Sequence, residues 1–198
     1  MMPSGIRAAI LRYKRWQDRQ AALFGKLLLL RVLRMEFRDA GMQKFQSLGI
    51  TRYGKPFIPG GPEFSISHSG DVVVLAVTDA GAVGVDIEKI RAVNIEDYSR
   101  YLPEVADVHE RYDIDRVNAL FFDCWTQKEA ILKGYGQGLL APLEQVVLKE
   151  GTALLNETTW FIRKVPIDAG YCCHVATDQR PEQVAVENVN LMNGLTAP

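Results

Sequence analysis

The sequence has little sulfur and no long apolar run, and both absences narrow the class of protein. Its 198 residues include only three cysteines, Cys124, Cys172 and Cys173. An odd number with one adjacent pair is unsuited to a disulfide framework, and the absence of a C-x-x-C pair argues against a structural zinc site. The most apolar segment, residues 21–30, contains a glycine and a lysine and is too short to cross a bilayer.

A signal peptide and an excess of positive charge are missing as well. No apolar region follows a basic segment at the start of the chain, so a secretory signal is not expected. The 23 lysines and arginines balance 24 aspartates and glutamates, which argues against nucleic acid as a partner. Hydrophobic residues make up 47%, enough for a buried core. The sequence therefore predicts a cytoplasmic globular protein with one large domain or two small ones and no membrane partner.

Hydrophobic periodicity predicts two helical regions. Residues 6–37 form a basic segment whose apolar side chains recur at intervals of three and four. Its cations indicate either a solvated helix face or a surface that binds anions. A second helix is expected from about Arg116 to Lys133, capped by Asp115 and ended by Gly134.

Short apolar segments predict strands at residues 64–68, 72–77, 83–87, 144–149, 160–164 and 172–177. The run at 72–77 is rich in β-branched residues, so we expect a buried strand there. Residues 41–61 are rich in glycine and proline and are predicted to form a loop. A helix followed by strands occurs twice, and the βαβ alternation of a parallel sheet is missing. The sequence therefore predicts the α+β class.

The segment Gly84-Val85-Asp86-Ile87-Glu88 places two carboxylates on one face of a strand, because residues two apart share a face. Carboxylates side by side repel each other unless a cation lies between them. Oxygen ligands of this kind suit Mg²⁺ or Mn²⁺. The alternative is a pair of solvated acids at the end of a strand, which is the commoner arrangement for this pattern alone.

The segment Trp125-Thr126-Gln127-Lys128-Glu129 continues to Lys133, and on a helix Trp125, Glu129 and Lys133 share one face. Glu129 would add a third carboxylate to a metal site, and Lys133 would place a cation near phosphate oxygens. The alternative is an ordinary Glu–Lys pair on a helix surface, worth a few tenths of a kcal/mol.

Two further segments have the composition of phosphate sites. In Phe64-Ser65-Ile66-Ser67-His68-Ser69-Gly70, small residues would let a phosphate approach backbone N–H groups, with His68 as an additional donor. A serine-rich turn with an exposed histidine is the alternative, and a Ser–His hydrolase lacks its G-x-S-x-G motif. Lys55, between Gly54 and Pro56, would bind phosphate as a point charge or be a plain surface lysine.

In their order and spacing these motifs resemble the phosphopantetheinyl transferases of the surfactin-synthetase-activating (Sfp-like) type. The similar segments are YGKPFIP (53–59), FSISHSG (64–70), GVDIEKIR (84–91), FFDCWTQKEAILKGYGQGL (121–139) and WQDRQAALFGKLLLLR (16–31). The resemblance departs at Ser65, where the family usually has asparagine, and at Ala21, where arginine is frequent. The family's opening strand also has no counterpart before the first helix.

The resemblance implies a monomer of two similar α+β halves, residues 1–79 and 80–198, with coenzyme A in the cleft between them and the metal ligands in the second half. The implied metal ligands are Asp86, Glu88 and Glu129, for Mg²⁺ or Mn²⁺. The residues implied near coenzyme A are Lys55, Ser67, His68, Lys133 and, toward the 3′-phosphate, Arg12 or Arg7.

The resemblance further implies transfer of the 4′-phosphopantetheine group of coenzyme A to a serine of an apo acyl or peptidyl carrier protein, with release of adenosine 3′,5′-bisphosphate. Glu129, Lys133 and His68 would be the catalytic residues. The carrier would belong to fatty-acid, polyketide or nonribosomal-peptide machinery. Two alternatives stay open: a non-catalytic relative that binds coenzyme A or a carrier, and another metal-dependent phosphoryl-processing enzyme.

Overall fold

The computed structural model describes residues 3–106, 112–137 and 143–191. In these residues the α-helices are α1 (Ser4–Leu11), α2 (Trp16–Phe37), α3 (Gly41–Gln46), α4 (Pro103–Ala106) and α5 (Ile114–Tyr135). The strands are β1 (Gly49–Ile50), β2 (Pro56–Phe57), β3 (Glu63–Ser69), β4 (Val72–Thr78), β5 (Val83–Lys89), β6 (Val147–Lys149), β7 (Thr152–Leu155), β8 (Thr158–Lys164) and β9 (Tyr171–Thr177). The mixture of helices and antiparallel strands confirms the α+β class.

The strands form two small hairpins and one larger sheet. β1 pairs with β2, β3 pairs with β4, and the five-stranded sheet has the order β5-β9-β8-β7-β6. All six strand pairs formed by the described residues are antiparallel. In the central register, Asp86 of β5 lies opposite His174 of β9, and Glu88 lies opposite Cys172. The predicted boundary after residue 79 falls between β4 and β5, and the division into two similar halves stays a prediction.

Serine side chains of β3 join the β3–β4 hairpin to the five-stranded sheet. The hydroxyl oxygens accept hydrogen bonds from backbone N–H groups of β5: Ser65 from Val85 at 3.1 Å, Ser67 from Ile87 at 3.4 Å and Ser69 from Lys89 at 3.0 Å. The residue numbers rise by two in both strands from one bond to the next, so β3 and β5 run in the same direction. Backbone N–H groups at the edge of a sheet need acceptors when they are buried, and the hydroxyls supply them.

The long helix α2 covers the β3–β4 hairpin. Leu29 and Leu33 of α2 are fully buried in one cluster with Phe45, Ile58 and Phe64. The other face of the hairpin packs on β5 and β9, in a cluster centred on Val85, Ile87 and Cys173. The hairpin is therefore a middle layer between α2 and the large sheet.

Helix α5 lies against the opposite face of the large sheet and approaches β5 closely. A Cβ atom on Gly84 would lie 2.9 Å from the Cα atom of Gly134, and one on Gly134 would lie 2.5 Å from the indole of Trp160. Ile131 and Trp160 fill the core between this helix and β8. Because both glycines lack side chains, α5 and the strand that carries Asp86 come into backbone contact.

Several predicted elements differ in extent from those observed. The helix predicted over residues 6–37 is broken between α1 and α2, where Arg19 donates a hydrogen bond to the carbonyl oxygen of Tyr13 at 2.7 Å. The strand predicted at 144–149 begins only at β6, and residues 72–77 are half-buried along their length instead of fully buried.

The remaining differences concern a loop, a missed strand and the ends of α5. Residues 41–61, predicted to be a loop, include α3 and the short strands β1 and β2, and β7 was not predicted. Asp113, rather than Asp115, caps α5 by accepting a hydrogen bond from the N–H group of Arg116 at 2.9 Å. The helix ends at Gly136, whose φ of 76° is left-handed, and not at Gly134.

Candidate active site

The candidate site lies where β5 meets α5. Asp86 and Glu88 are on the face of β5 that α5 covers, and Glu129 and Lys133 are one turn apart on the helix. The structure places Asp86 in the middle of β5 with 3% of its surface exposed, which disagrees for this residue with the alternative of solvated acids at a strand end.

Asp86 accepts hydrogen bonds from two side chains, and both go to the same oxygen. Its Oδ1 accepts a hydrogen bond from the hydroxyl of Ser67 at 2.9 Å and one from the ammonium of Lys133 at 2.5 Å. The same ammonium donates to the Ser67 oxygen at 2.9 Å. The second oxygen, Oδ2, is buried and has no hydrogen-bond partner. A buried carboxylate oxygen without a donor is a position that a cation would satisfy.

Glu88 and Glu129 complete a cluster of three acids. Ser69 donates a hydrogen bond to Glu88 Oε2 at 2.8 Å. Burial raises the pKa of Glu88, and the charge of Asp86 raises it further. Burial also raises the pKa of Glu129, and the negative charges of Asp86 and Glu88 raise it further. The three carboxylates are therefore near enough to repel one another.

Burial likewise raises the pKa of Asp86, although Lys133 opposes the shift. Three acids whose charged forms are disfavoured, together with one unpaired oxygen, fit a hard divalent cation with oxygen ligands. Their oxygens are not all within 4.8 Å of one another. Among the described residues, only a different group, containing a histidine and a cysteine, meets that spacing.

A cavity of about 790 Å³ opens beside this cluster. Its size falls in the range usual for cofactor sites. Residues from α2, from the segment between β1 and β2, from β3, from the stretch before α4 and from α5 form its wall. The side chains used below are Lys26, Lys55, His68, Tyr98, Arg100, Tyr101, Trp125, Glu129 and Lys133.

The cavity wall is rich in cations. Lys55 donates to Glu63 Oε2 at 2.9 Å and to the carbonyl oxygen of Gly134 at 3.0 Å, near the C-terminus of α5. Burial lowers the pKa of Lys26, because its ammonium is removed from water. Lys133 and Arg100 add two further charges. A polyanion that entered this cavity would meet positive charge from several sides.

The predicted site residues fall into three groups. Those that line the cavity are Glu129, Lys133, His68 and Lys55. Asp86, Glu88 and Ser67 lie behind this wall and are not part of it. Ser67 is 5% exposed and holds Asp86 and the edge of β5, and its placement near phosphate stays a prediction. Arg12 ends α1 with an exposed side chain and is not among the lining residues.

Sequence reasoning missed two kinds of residue here. The segment before α4 adds Tyr98 and Tyr101 to the cavity, and its motif-free sequence gave no signal. Lys128 is 1% exposed, and its ammonium contacts the carbonyl oxygen of Tyr101 at 3.2 Å and Glu104 at 3.0 Å. It ties that segment to α5. Its place beside Glu129 in the W-x-x-K-E motif was the available signal.

In the described residues, no helix combines the length and apolarity needed to span a bilayer.

Comparison with known proteins bears on what this site does. A model of the "4′-phosphopantetheinyl transferase superfamily" matches residues 82–185, from β5 through β9. A 4′-phosphopantetheinyl transferase of Bacillus pumilus, psf-1, is 31% identical over 94% of this chain and 82% of its own length. The Sfp protein of Bacillus subtilis (strain 168), also named a 4′-phosphopantetheinyl transferase, is 29% identical over 81% of this chain and 75% of its own.

A second Bacillus subtilis protein of the same name is 38% identical over a shorter stretch, which covers 50% of this chain and 45% of that protein. The family-model match includes the strand with Asp86 and Glu88 and the helix with Glu129 and Lys133. The chain belongs to the 4′-phosphopantetheinyl transferase superfamily and is a transferase of Sfp type.

Proposed function

We propose that this protein transfers the 4′-phosphopantetheine group of coenzyme A to a serine of an apo acyl or peptidyl carrier protein and releases adenosine 3′,5′-bisphosphate. The observation that carries the proposal is the proximity of Asp86, Glu88, Glu129 and Lys133. Glu129 and Lys133 line one cation-rich cavity, and the other two acids lie behind its wall. Names of the relatives supply the group that is transferred.

The cavity has the chemistry that coenzyme A requires. The pyrophosphate and 3′-phosphate of coenzyme A carry several negative charges. The cations at the cavity wall that would balance them are Lys26, Lys55, Arg100 and Lys133. Its pantetheine and adenine parts would contact the aromatic side chains of Tyr98, Tyr101 and Trp125. We further propose that coenzyme A binds in a cleft between two similar halves, and that the protein is a monomer located in the cytoplasm.

The reaction forms a bond between the carrier serine oxygen and the β-phosphorus of coenzyme A, and breaks the bond from that phosphorus to the bridging oxygen. The bridging oxygen keeps the electron pair and leaves with adenosine 3′,5′-bisphosphate. Such transfers depend mainly on positioning and charge neutralisation. Glu129, at the cavity wall with a raised pKa, would take the serine proton.

The remaining residues would bind and orient. Lys133, held between Ser67 and Asp86, would neutralise the leaving phosphate. His68 is exposed at the cavity and would donate to the pyrophosphate. Asp86, Glu88 and Glu129 would hold Mg²⁺ or Mn²⁺, which when bound acts as a Lewis acid on phosphate oxygens.

The test is the intact mass of an apo carrier protein after incubation with this protein, coenzyme A and Mg²⁺, with and without chelator. The expected result is a gain of one phosphopantetheine that the chelator abolishes. Glu129→Gln should keep the fold and lose the gain, whereas Glu36→Gln, on the exposed face of α2, should behave as wild type. Carriers from fatty-acid, polyketide and nonribosomal-peptide systems should be compared.

Two other outcomes would replace the proposal. Coenzyme A binding without any mass gain on all carriers would indicate a non-catalytic relative. Release of phosphate from substrates other than coenzyme A would indicate a different metal-dependent phosphoryl-processing enzyme.

A further inference from the structure

A second cluster of ligand-type side chains lies outside the proposed transfer machinery. Asp123 of α5 and Cys172 and His174 of β9 offer ligand atoms within 4.8 Å of one another, the one such group among the residues that the structure describes. Cys172 and His174 are 3% exposed, and the Asp123 side chain is 31% exposed. A carboxylate, a thiol and an imidazole are the three ligand types that zinc takes in proteins.

The fold brings these residues together from distant parts of the sequence. Cys172 and His174 are two apart on β9, so they share the sheet face that α5 covers. Asp123 reaches them from the helix, one turn before Thr126. Forty-nine positions separate Asp123 from Cys172, so no sequence spacing marks the group.

The imidazole is already oriented for a ligand. The Thr126 hydroxyl donates to the carbonyl oxygen of Phe122 at 2.7 Å, so we assign it as acceptor for the Nδ1–H group of His174 at 2.8 Å. The other ring nitrogen, Nε2, then keeps its lone pair and lies 3.9 Å from Asp123 Oδ1, beyond hydrogen-bonding distance. Metal-bound histidines are commonly fixed in this way through the nitrogen that does not bind the metal.

The distances are close to those of a zinc site. The Cys172 sulfur lies 3.8 Å from Asp123 Oδ1, and His174 Nε2 lies 3.9 Å from the same oxygen. Usual zinc–ligand bond lengths in a tetrahedral site place ligand atoms roughly 3.3–3.6 Å apart. Along these two distances a contraction of a few tenths of an ångström would suffice, and the Cys172 sulfur lies 3.9 Å from Nδ1 of the same imidazole.

A cation already occupies part of this position. The ammonium of Lys164 lies 2.6 Å from Asp123 Oδ1, and its side chain is 64% exposed, so it can move into solvent. Lys164 and Cys172 also line a second cavity, of about 520 Å³, although Asp123 and His174 do not. The Asp123 side chain, 31% exposed, gives the position access to solvent.

We propose that Asp123, Cys172 and His174 form a zinc site with three protein ligands and one open position. On binding, the Cys172 thiol releases its proton to solvent, a zinc–sulfur bond forms, and the Lys164 ammonium leaves Asp123. Thiolate and imidazole ligands favour Zn²⁺ over Mg²⁺, so the site is chemically separate from the oxygen ligands of Asp86 and its neighbours. The sequence argued against a structural zinc site because it has no C-x-x-C pair, and the site proposed here does not use such a pair.

The experiment uses Co²⁺ as a spectroscopic probe of the full-length protein under reducing, anaerobic conditions. A thiolate bound to Co²⁺ gives a near-ultraviolet charge-transfer band that carboxylates do not give. The expected result is one equivalent of Co²⁺ with this band, displaced by one equivalent of Zn²⁺. Cys172→Ser should abolish the band, and Cys173→Ser, whose side chain packs on the other face of β9, should retain it.

Two further variants separate this site from the carboxylate cluster. Asp86→Asn should keep the band, because Asp86 is not a ligand here. Lys164→Met should tighten Co²⁺ binding at least several-fold, since it removes the competing ammonium. A merely structural ion pair would not give tighter metal binding when Lys164 is removed.

The outcomes that would overturn the proposal are equally specific. They are the absence of the band in the wild-type protein, its persistence in Cys172→Ser, and its loss in Asp86→Asn. If Cys172→Ser does not fold, Asp123→Asn serves instead, because this side chain is partly exposed. It should weaken binding on the order of 100-fold, and unchanged affinity would contradict the assignment.

Discussion

Asp86 lies in the middle of β5 with one carboxylate oxygen paired and the other buried without a partner. Leaving a buried polar atom unsatisfied costs about 1–3 kcal/mol, and more for a charged group. Burial raises its pKa in spite of the ammonium of Lys133 beside it. The fold therefore keeps an acid where an amide would be tolerated better, as expected for a residue retained for cation binding.

The first prediction concerns Asp86→Asn. Turnover with Mg²⁺ should fall at least about 100-fold, the range seen when one electrostatic contact to a transition state is lost. Without Mg²⁺ the variant should be no less stable than the wild type, because a buried charge is removed. The measurements are the carrier mass gain over time and thermal unfolding in chelator.

Its control is Asp39→Asn, an exposed acid beyond the end of α2, which should change neither quantity. Wild-type turnover by Asp86→Asn would contradict the role of this carboxylate.

The burial of Lys26 lowers the stability of the ligand-free protein but places an ammonium where it could bind a phosphate. Its pKa is lowered by burial, so the folded protein binds this proton less tightly than the unfolded chain does. In the part of the chain that the structure describes, no ion pair involves it. The ammonium lies at the cavity wall, where a phosphate would compensate for the lost water.

The second prediction follows for Lys26→Met. The ligand-free protein should unfold at higher urea concentration, because a poorly hydrated charge is lost. The dissociation constant for coenzyme A should rise about tenfold, the equivalent of one charge-assisted hydrogen bond. Calorimetric titration measures the second effect. Arg34→Met, on an exposed position of the same helix, should show neither, and tighter binding by Lys26→Met would count against a phosphate contact.

At the scale of elements, the site depends on how closely α5 approaches β5. Only glycines at positions 84 and 134 leave space for this contact. The third prediction is therefore that Gly84→Ala destabilises the protein by about 1–3 kcal/mol or more, the usual cost of overpacking. Gly170→Ala is the matched control, because a Cβ atom there would meet nothing within 4 Å. Urea unfolding of both variants gives the comparison.

Activity adds a second readout to the same comparison. If Gly84→Ala folds, α5 must shift away from β5, and Glu129 and Lys133 move with it, so turnover should fall more than stability alone explains. Equal stability of Gly84→Ala and Gly170→Ala would show that the helix position does not depend on this contact.

The elements themselves were partly predictable from the sequence. Periodicity located α5 and most strands, because the signals are local and the side chains repeat at regular spacing. The alternating serines of β3 are a local strand signal too, yet their partner β5 is twenty residues away, and no sequence rule indicates that hydroxyls replace a backbone ladder there. The end of α5 at Gly136 instead of Gly134 was missed because Gly134 packs against Trp160.

The residues of the candidate site could be predicted only where a sequence motif contains them. Asp86 and Glu129 were identified from their segments, but their proximity arises from helix–sheet packing that periodicity does not contain. The proximity of Ser67 to phosphate stays a prediction, and its buried position in support of Asp86 was not foreseen. The cluster around His174 could not be predicted, since its members are joined only by the fold.

At the scale of the whole molecule, the three acids link stability to pH. Burial raises the pKa of Glu129, and the charges of Asp86 and Glu88 raise it further, while Lys133 lowers it. Between the unfolded value of about 4.3 and the raised value, the folded protein holds a proton that the unfolded chain has lost. The free energy of unfolding therefore falls as pH rises through this window.

The fourth prediction is a difference between Glu129→Gln and the wild type. Without divalent cations the variant should be more stable at pH 8, and its advantage should shrink as pH falls through the raised pKa of Glu129. Burial lowers the pKa of His174 to about 4, which destabilises both proteins alike on acidification. Only the difference between the two unfolding free energies, measured by urea titration at several pH values, isolates Glu129.

Saturating Mg²⁺ should reverse the sign of this difference. A cation that binds only the folded state stabilises it by mass action, and the wild type offers one carboxylate more than the variant. The wild type should then be the more stable protein at pH 8, and the pH dependence of the difference should flatten because the carboxylates stay ionised. Equal stabilisation of both proteins by Mg²⁺ would remove Glu129 from the metal ligands, whereas a pH-independent difference would show that its proton is not held by the fold.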